Sequence, residues 1–272
     1  ESTADGRALR ETTGYGAMTS EAQIWGWWND RSAQDTAYRL LETMGRDAAT
    51  EAAVVVGQNF AIAVHGGSET YGAWEDEHVA AVCYGCFRWD DSDLASCAKD
   101  NPAYAVALAY NRYGPDFVDR MKGTWSCAVV DRRGRGRVVL LNDRIGAEPL
   151  CYGTLPNGGI VFATRAESVA DHPAISPDLD YQALHNYLYF TRVPAPRTIF
   201  QQIRKFSTAT RLVANLGEVH VDTYWRITYR DSTSPARNLH RELQVRLQNS
   251  VRDLAACADR STIGAFLSGG LD

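Results

Sequence analysis

Residues 123–153 read "GTWSCAVVDRRGRGRVVLLNDRIGAEPLCYG". Two β-branched, apolar runs flank the basic turn "RRGRG", where glycine supplies the backbone freedom that a tight reversal needs. The second run ends in "DRIGAEP", a polar segment whose Asp143 can bind its own backbone a few residues on. Beyond it, "EPLCYG" and "GIVFAT" flank "TLPNGG", whose Asn157-Gly158 is a strong hairpin signal. The middle of the chain therefore reads as an antiparallel meander, and that pattern sets the fold class.

Working upstream, "NPAYAVALAYNRYG" predicts a helix with Asn101 as N-cap, Pro102 at its first position and Gly114 just past its end. Before it, "HVAAVCYGCFRW" and "AAVVVGQNFAIAVHGG" read as two strands and "AQDTAYRLLETMG" as a helix; the opening residues show little periodicity. Downstream, "SPDLDYQALHNYLYF" predicts a short helix and "RLVANLGEVHVDTYW" a last hairpin. The polar stretch "YRDSTSP" marks a boundary, giving units 1–230 and 231–272. In the second unit Leu239, Leu243, Leu247, Val251 and Leu254 recur at helical spacing. That helix leads to "TIGAFL" and a glycine loop, the order in which α/β nucleotide-binding domains open.

Composition narrows the function. With 28 basic and 33 acidic side chains scattered over 272 residues, the net charge is −5, which argues against a nucleic-acid partner. No apolar run approaches the ~20 residues that span a bilayer, and no membrane association is expected. Six cysteines include one C-x-x-C, Cys83 to Cys86, without a second pair at zinc-binding spacing. On a strand these two point to opposite faces, so buried thiols are a better account than a redox pair. A reduced cytoplasmic setting fits this usage.

Three stretches together resemble the glutamine-hydrolysing asparagine synthetase family. They are residues 123–153, with D-R-x-G-x-x-P-L-x-Y; "YLYFTRVPAPRTIFQQIRKF" at 187–206; and "IGAFLSGGLD" at 263–272, like the start of the S-G-G-x-D-S pyrophosphatase loop. The likeness covers residues 82–272 in order. It implies an α+β architecture: an N-terminal-nucleophile-type α/β/β/α sandwich, followed by the start of an α/β PP-loop ATP-binding domain. The resemblance gives Leu267, Ser268, Gly269, Gly270 and Asp272 as nucleotide-binding residues. Asp272 is also the metal residue, and ATP and Mg²⁺ are the implied cofactors. Small residues let N–H groups reach phosphate oxygens, and a carboxylate suits Mg²⁺.

The same resemblance points to a lost glutaminase. The family nucleophile is an N-terminal cysteine whose α-amine acts as base, whereas residue 1 is Glu1. The substrate-holding Asn-Gly-Glu falls on Tyr84, Gly85 and Cys86, and a further Asp falls on Pro102. The expected reading is an ATP-dependent amide-forming ligase whose substrate is a small-molecule or peptide carboxylate. Intramolecular closure of the β-lactam synthetase or lasso-peptide cyclase type is one version. A non-catalytic scaffold and a self-cleaving hydrolase are the rivals, and the oligomeric state, a homodimer included, is open. Of the other polar residues, Asp143 and Arg144 are expected to make a structural ion pair or turn bonds, His65 to be a loop histidine, and the tryptophans, Trp25, Trp27 and Trp28 included, to fill cores or interfaces.

Overall fold

The computed structural model describes residues 22–31, 34–45, 52–66, 70–229, 236–256 and 263–264. They divide into two units, one up to Arg226 and the other from Ile227.

The first unit opens with β1 (Gln23–Trp28), a 3-10 turn and α1 (Ala37–Gly45), then β2 (Ala53–Val56), β3 (Phe60–His65), β4 (Tyr71–Glu75) and β5 (Val79–Trp89). Two helices follow, α2 (Ser92–Asp100) and α3 (Pro102–Tyr113), before the long β6 (Met121–Asp131) and β7 (Arg137–Asn142). The chain continues through β8 (Cys151–Thr154), β9 (Ile160–Ala163), α4 (Ala166–Ala170), α5 (Tyr181–Phe190), β10 (Ile203–Lys205), β11 (Thr210–Asn215) and β12 (Glu218–Thr223). These strands form two six-stranded antiparallel sheets, ordered β10-β8-β9-β1-β3-β2 and β12-β11-β7-β6-β5-β4.

Side-chain alternation on the strands makes the layers. Inward residues of both sheets, among them Ile24, Trp28, Ile62, Val82, Tyr84, Val130, Leu140, Phe162 and Leu212, share one buried core. Outward residues of the first sheet, including Trp25, Trp27 and Val161, pack with Leu40, Leu41 and Met44 of α1 and Val169 of α4. Those of the second sheet, including Cys83, Trp125 and Cys127, pack with Leu94 of α2 and Val106 and Tyr110 of α3. The result is a helix, sheet, sheet, helix sandwich.

Sequence punctuation accounts for the helix positions. Asn101 caps α3 by accepting from Ala103 N at 2.9 Å and Tyr104 N at 3.3 Å, and Pro102 sits where a missing N–H costs nothing. Asp91 and Asp180 cap α2 and α5 in the same way.

Several expectations are corrected. Residues 52–67 hold two strands, β2 and β3, separated at Gly57–Asn59, and His65 is the buried last residue of β3, outside any loop. The run "QIWGWW", which the sequence reading passed over, is a central strand flanked by β3 and β9. Its tryptophans are all buried in the cores, as expected of them.

The second unit contains α6 (Ala236–Ala255). Its predicted stripe is present, and Leu239, Leu243, Leu247, Val251 and Leu254 are 40–67% exposed. The expected strand at 262–267 and the glycine loop fall outside the described residues, apart from Ile263 and Gly264, which are in neither helix nor strand.

Candidate functional site

β1 begins between β3 and β9, with Gln23 opposite His65 and Ile24 N donating to Thr164 Oγ1 at 2.9 Å. Immediately before it, Ala22 packs its methyl group against the core between the sheets. From the opposite sheet, β5 contributes Tyr84, which is 1% exposed and belongs to that core, while Tyr71 of β4 stands opposite it in the ladder. The rings of His65 and Tyr71 lie 6.3 Å apart, and the Tyr71 ring covers Gly66 so closely that a Cβ there would collide with it.

The turn after β7 completes this end. Asp143 is fully buried, and its Oδ1 accepts from Ile145 N at 2.9 Å and Ala147 N at 3.3 Å. Its Oδ2 accepts from Glu148 N at 3.1 Å and Trp125 N at 3.3 Å. Four N–H donors on one carboxylate fix the D-R-x-G loop, so Asp143 is a turn-holding residue, as its place after a strand suggested. The guanidinium of Arg144 lies 5.6 Å from the Trp225 ring.

That loop delivers Glu148 to Tyr84. Burial raises the Glu148 pKa above the ordinary carboxylate value, the hydrogen bond with Tyr84 lowers it, and the Asp143 charge raises it again. Ser126, opposite Tyr84 on β6, donates to Glu148 O at 2.9 Å.

Three thiols are turned away from this end. The thiols of Cys83 and Cys127 face α2 and α3, and Cys151 faces the α1 and α4 side; all three are buried and free. Burial raises the pKa of Cys83 and Cys127 and pushes Cys151 up to about 12, which suppresses the thiolate. Cys83 is the buried free thiol expected of it, but Cys86 is not: it is half-buried and disulfide-bonded, to a cysteine other than Cys83.

Gly85 keeps its identity for a steric reason. Its φ is +118°, and a Cβ would stand 2.2 Å from Thr124 O. Pro102 is a buried helix-opening residue beside Gly72, where an added Cβ would stand 2.6 Å from Asn101 Oδ1. Leu267, Ser268, Gly269, Gly270 and Asp272 lie outside the described residues, and among the described residues no His, Cys, Asp and Glu cluster suits a metal ion. Sequence reading missed Ala22 and the Tyr84–Glu148 contact. The short apolar, aromatic run "QIWGWW", closed by Asn29 and Asp30, carries the signal for the first, whereas the second depends on a contact between distant segments.

Residues 97–225 match the model of a glutamine amidotransferase domain. A putative asparagine synthetase [glutamine-hydrolyzing] of Mycobacterium bovis is 26% identical over 186 residues, covering 64% of this chain and 28% of the relative. Asparagine synthetase [glutamine-hydrolyzing] 1 of Bacillus subtilis is 24% identical over 178 residues, with 64% and 27% covered. The chain thus spans between a quarter and a third of these relatives' length. Among solved structures, the allosteric regulatory enzyme of purine biosynthesis aligns with 77% of this chain and 50% of its own at 10% identity and a TM-score of 0.46. The motifs in residues 123–206, the matched domain and the curated relatives converge: the chain carries a glutamine-amidotransferase-type domain similar to that of glutamine-hydrolysing asparagine synthetases.

Proposed function

We propose that this chain is the N-terminal portion of an asparagine-synthetase-type, ATP-dependent amide-forming ligase whose N-terminal-nucleophile-type domain no longer hydrolyses glutamine. The observation that carries the loss is Tyr84. Its side chain fills the space between the sheets at the position where the resemblance calls for a substrate-holding amide. Ala22 offers a methyl group at the head of β1, and the free buried thiols point into the outer layers. An acyl-transfer site needs a nucleophile, a base and a bound amide in one place.

The ligase half of the reading rests on the family match and on residues 263–272. A serine hydroxyl, two glycines without side chains and a carboxylate are a donor set suited to phosphates and Mg²⁺. Ser268, Gly269 and Gly270 would hold the phosphates, Leu267 would lie beside the nucleotide, and Asp272 would give the metal an oxygen. Bound ATP would supply carboxylate activation with release of pyrophosphate, after which an amine forms the amide. The lost ammonia source makes intramolecular closure a serious form of this reaction.

The test has two arms. Incubated with glutamine, the chain should release glutamate no faster than a buffer blank, before and after treatment with a thiol reagent. The protein extended through the following synthetase-type region should exchange pyrophosphate in the presence of its carboxylate, and Asp272→Asn should weaken both exchange and ATP affinity. Glutamine hydrolysis sensitive to thiol reagents would overturn the first half. If the extended protein binds ATP with Mg²⁺ and Asp272→Asn changes nothing, the loop assignment fails and a scaffold role takes its place.

A further inference from the structure

Cys83 of β5 and Cys127 of β6 stand directly opposite each other in the second sheet. The type of pair follows from the ends of the ladder. Arg132 N donates to His78 O at 2.8 Å beyond one end, and Asp90 N donates to Arg120 O at 3.2 Å beyond the other. Between them the register runs unbroken from Val79↔Asp131 to Trp89↔Met121. Hydrogen-bonded pairs therefore fall on the even-numbered positions of β5, and Cys83↔Cys127 is a non-hydrogen-bonded pair. Such pairs bring Cα atoms to about 4.5 Å, inside the range of about 4.4–6.8 Å that a disulfide spans. Both side chains leave the same face of the sheet, into the core under α2 and α3. Both are free thiols, fully buried.

We propose that Cys83 and Cys127 are a site of intramolecular oxidation, closing to a cross-strand disulfide that the native sandwich accommodates. The Cβ atoms need to approach by about 1 Å, a change that rotation about the two χ1 angles and a small local pinch of the strands supply. The reaction is a thiol–disulfide exchange with a small-molecule disulfide as oxidant. One cysteine thiolate attacks that disulfide, forms a mixed disulfide and expels one thiolate. The other cysteine then attacks the protein-side sulfur and expels the second. Two protein thiols are oxidised, one disulfide is reduced to two thiols, and the two protons pass to the departing thiolates. Because burial closes both sulfurs to solvent and raises their pKa values, the exchange belongs to the folding chain, before α2 and α3 cover the sheet, or to an opened state.

The experiment refolds the denatured, reduced chain in oxidised and reduced glutathione, alkylates the remaining thiols, and maps peptides from the soluble, folded fraction. The expected product links the Cys83 and Cys127 peptides, two hydrogens lighter than their sum, and its thermal midpoint lies above that of the fully reduced protein. The reduced native protein, given the same oxidant without denaturant, should form this link on the order of tenfold more slowly, since it must first open. Cys127→Ala should fold and lack the link, leaving Cys83 alkylatable after unfolding. If both cysteines stay alkylatable in the refolded fraction, or if the link occurs in aggregates alone, the proposal is wrong.

Discussion

At the scale of single residues, the buried carboxylates of Asp131 and Asp143 are each held by several donors. Asp131 accepts from Arg133 Nε at 2.8 Å, Arg133 Nη2 at 3.0 Å and the Tyr110 hydroxyl at 2.9 Å. Burial pushes its pKa up, and these hydrogen bonds more than offset that, leaving it below the ordinary carboxylate value. The folded chain therefore holds its proton less tightly than the unfolded chain. Its contribution is present above the unfolded pKa of about 3.9 and is lost as pH falls through the lower, folded value. Asp131→Asn should cost about 1–3 kcal/mol in urea unfolding at neutral pH, with the difference from the parent shrinking as the acid limb is entered. His172 behaves in a related way. Its Nδ1 accepts from Ala174 N at 3.3 Å, so the single proton sits on Nε2, 3.5 Å from Asp30 Oδ2. Burial lowers its pKa and the Asp30 charge opposes that. A lowered histidine pKa means that the unfolded chain gains the proton first, so stability should fall from about pH 7 to pH 5. His172→Gln should remove part of that fall, read as the unfolding midpoint against pH. The His172 partnership was not legible in the sequence, because Asp30 and His172 lie far apart in the chain and meet through packing. Asp143 was legible as a turn residue, since its hydrogen bonds are local.

At the scale of elements, local chemistry and register explain most of the agreement. The α3 boundaries could be read directly from Asn101, Pro102 and Gly114 because caps act within one turn. Asn101 does more than cap: its Nδ2 donates to Ala73 O at 3.1 Å, tying the helix start to β4. Asn101→Ala should lower stability by about 1–2 kcal/mol, measured as the shift in urea midpoint, whereas Asn101→Asp should retain the cap and lose the tie to β4. β1 was missed for the opposite reason. A strand buried on both faces lacks alternation of apolar and polar residues, and "QIWGWW" shows none to a reader expecting it. Short β4 was equally silent, and the division of residues 52–66 was passed over although Gly57-Gln58-Asn59 breaks the apolar run with turn-prone residues. The tyrosine at position 84 was visible as a departure from a motif. That it fills the space between the sheets was not, because facing direction follows from register with Ser126 and Tyr71.

At the scale of the molecule, the three buried cores draw their members from residues 24–214, and the hydrophobic side chains packed against them extend from Ala22 to Tyr224. The stability of the first unit should therefore reside within it. A shortened protein ending at Arg226 should unfold with the midpoint of the longer chain to within experimental error. A large loss of midpoint would show that residues 227–272 contribute to that unit. The sandwich also has edges, and one of the two outermost strands of the second sheet is β12. Its sequence alternates Glu218, His220 and Asp222 with Val219, Val221 and Thr223. The charged side chains stand along a border where unpaired backbone groups invite another strand. Asp222 is further occupied by Arg211, at 2.8 Å and 3.0 Å. A second molecule adding to this border would have to strip water from Glu218 and face a row of mixed charge, so the edge resists fibre growth even though the sheet behind it is apolar.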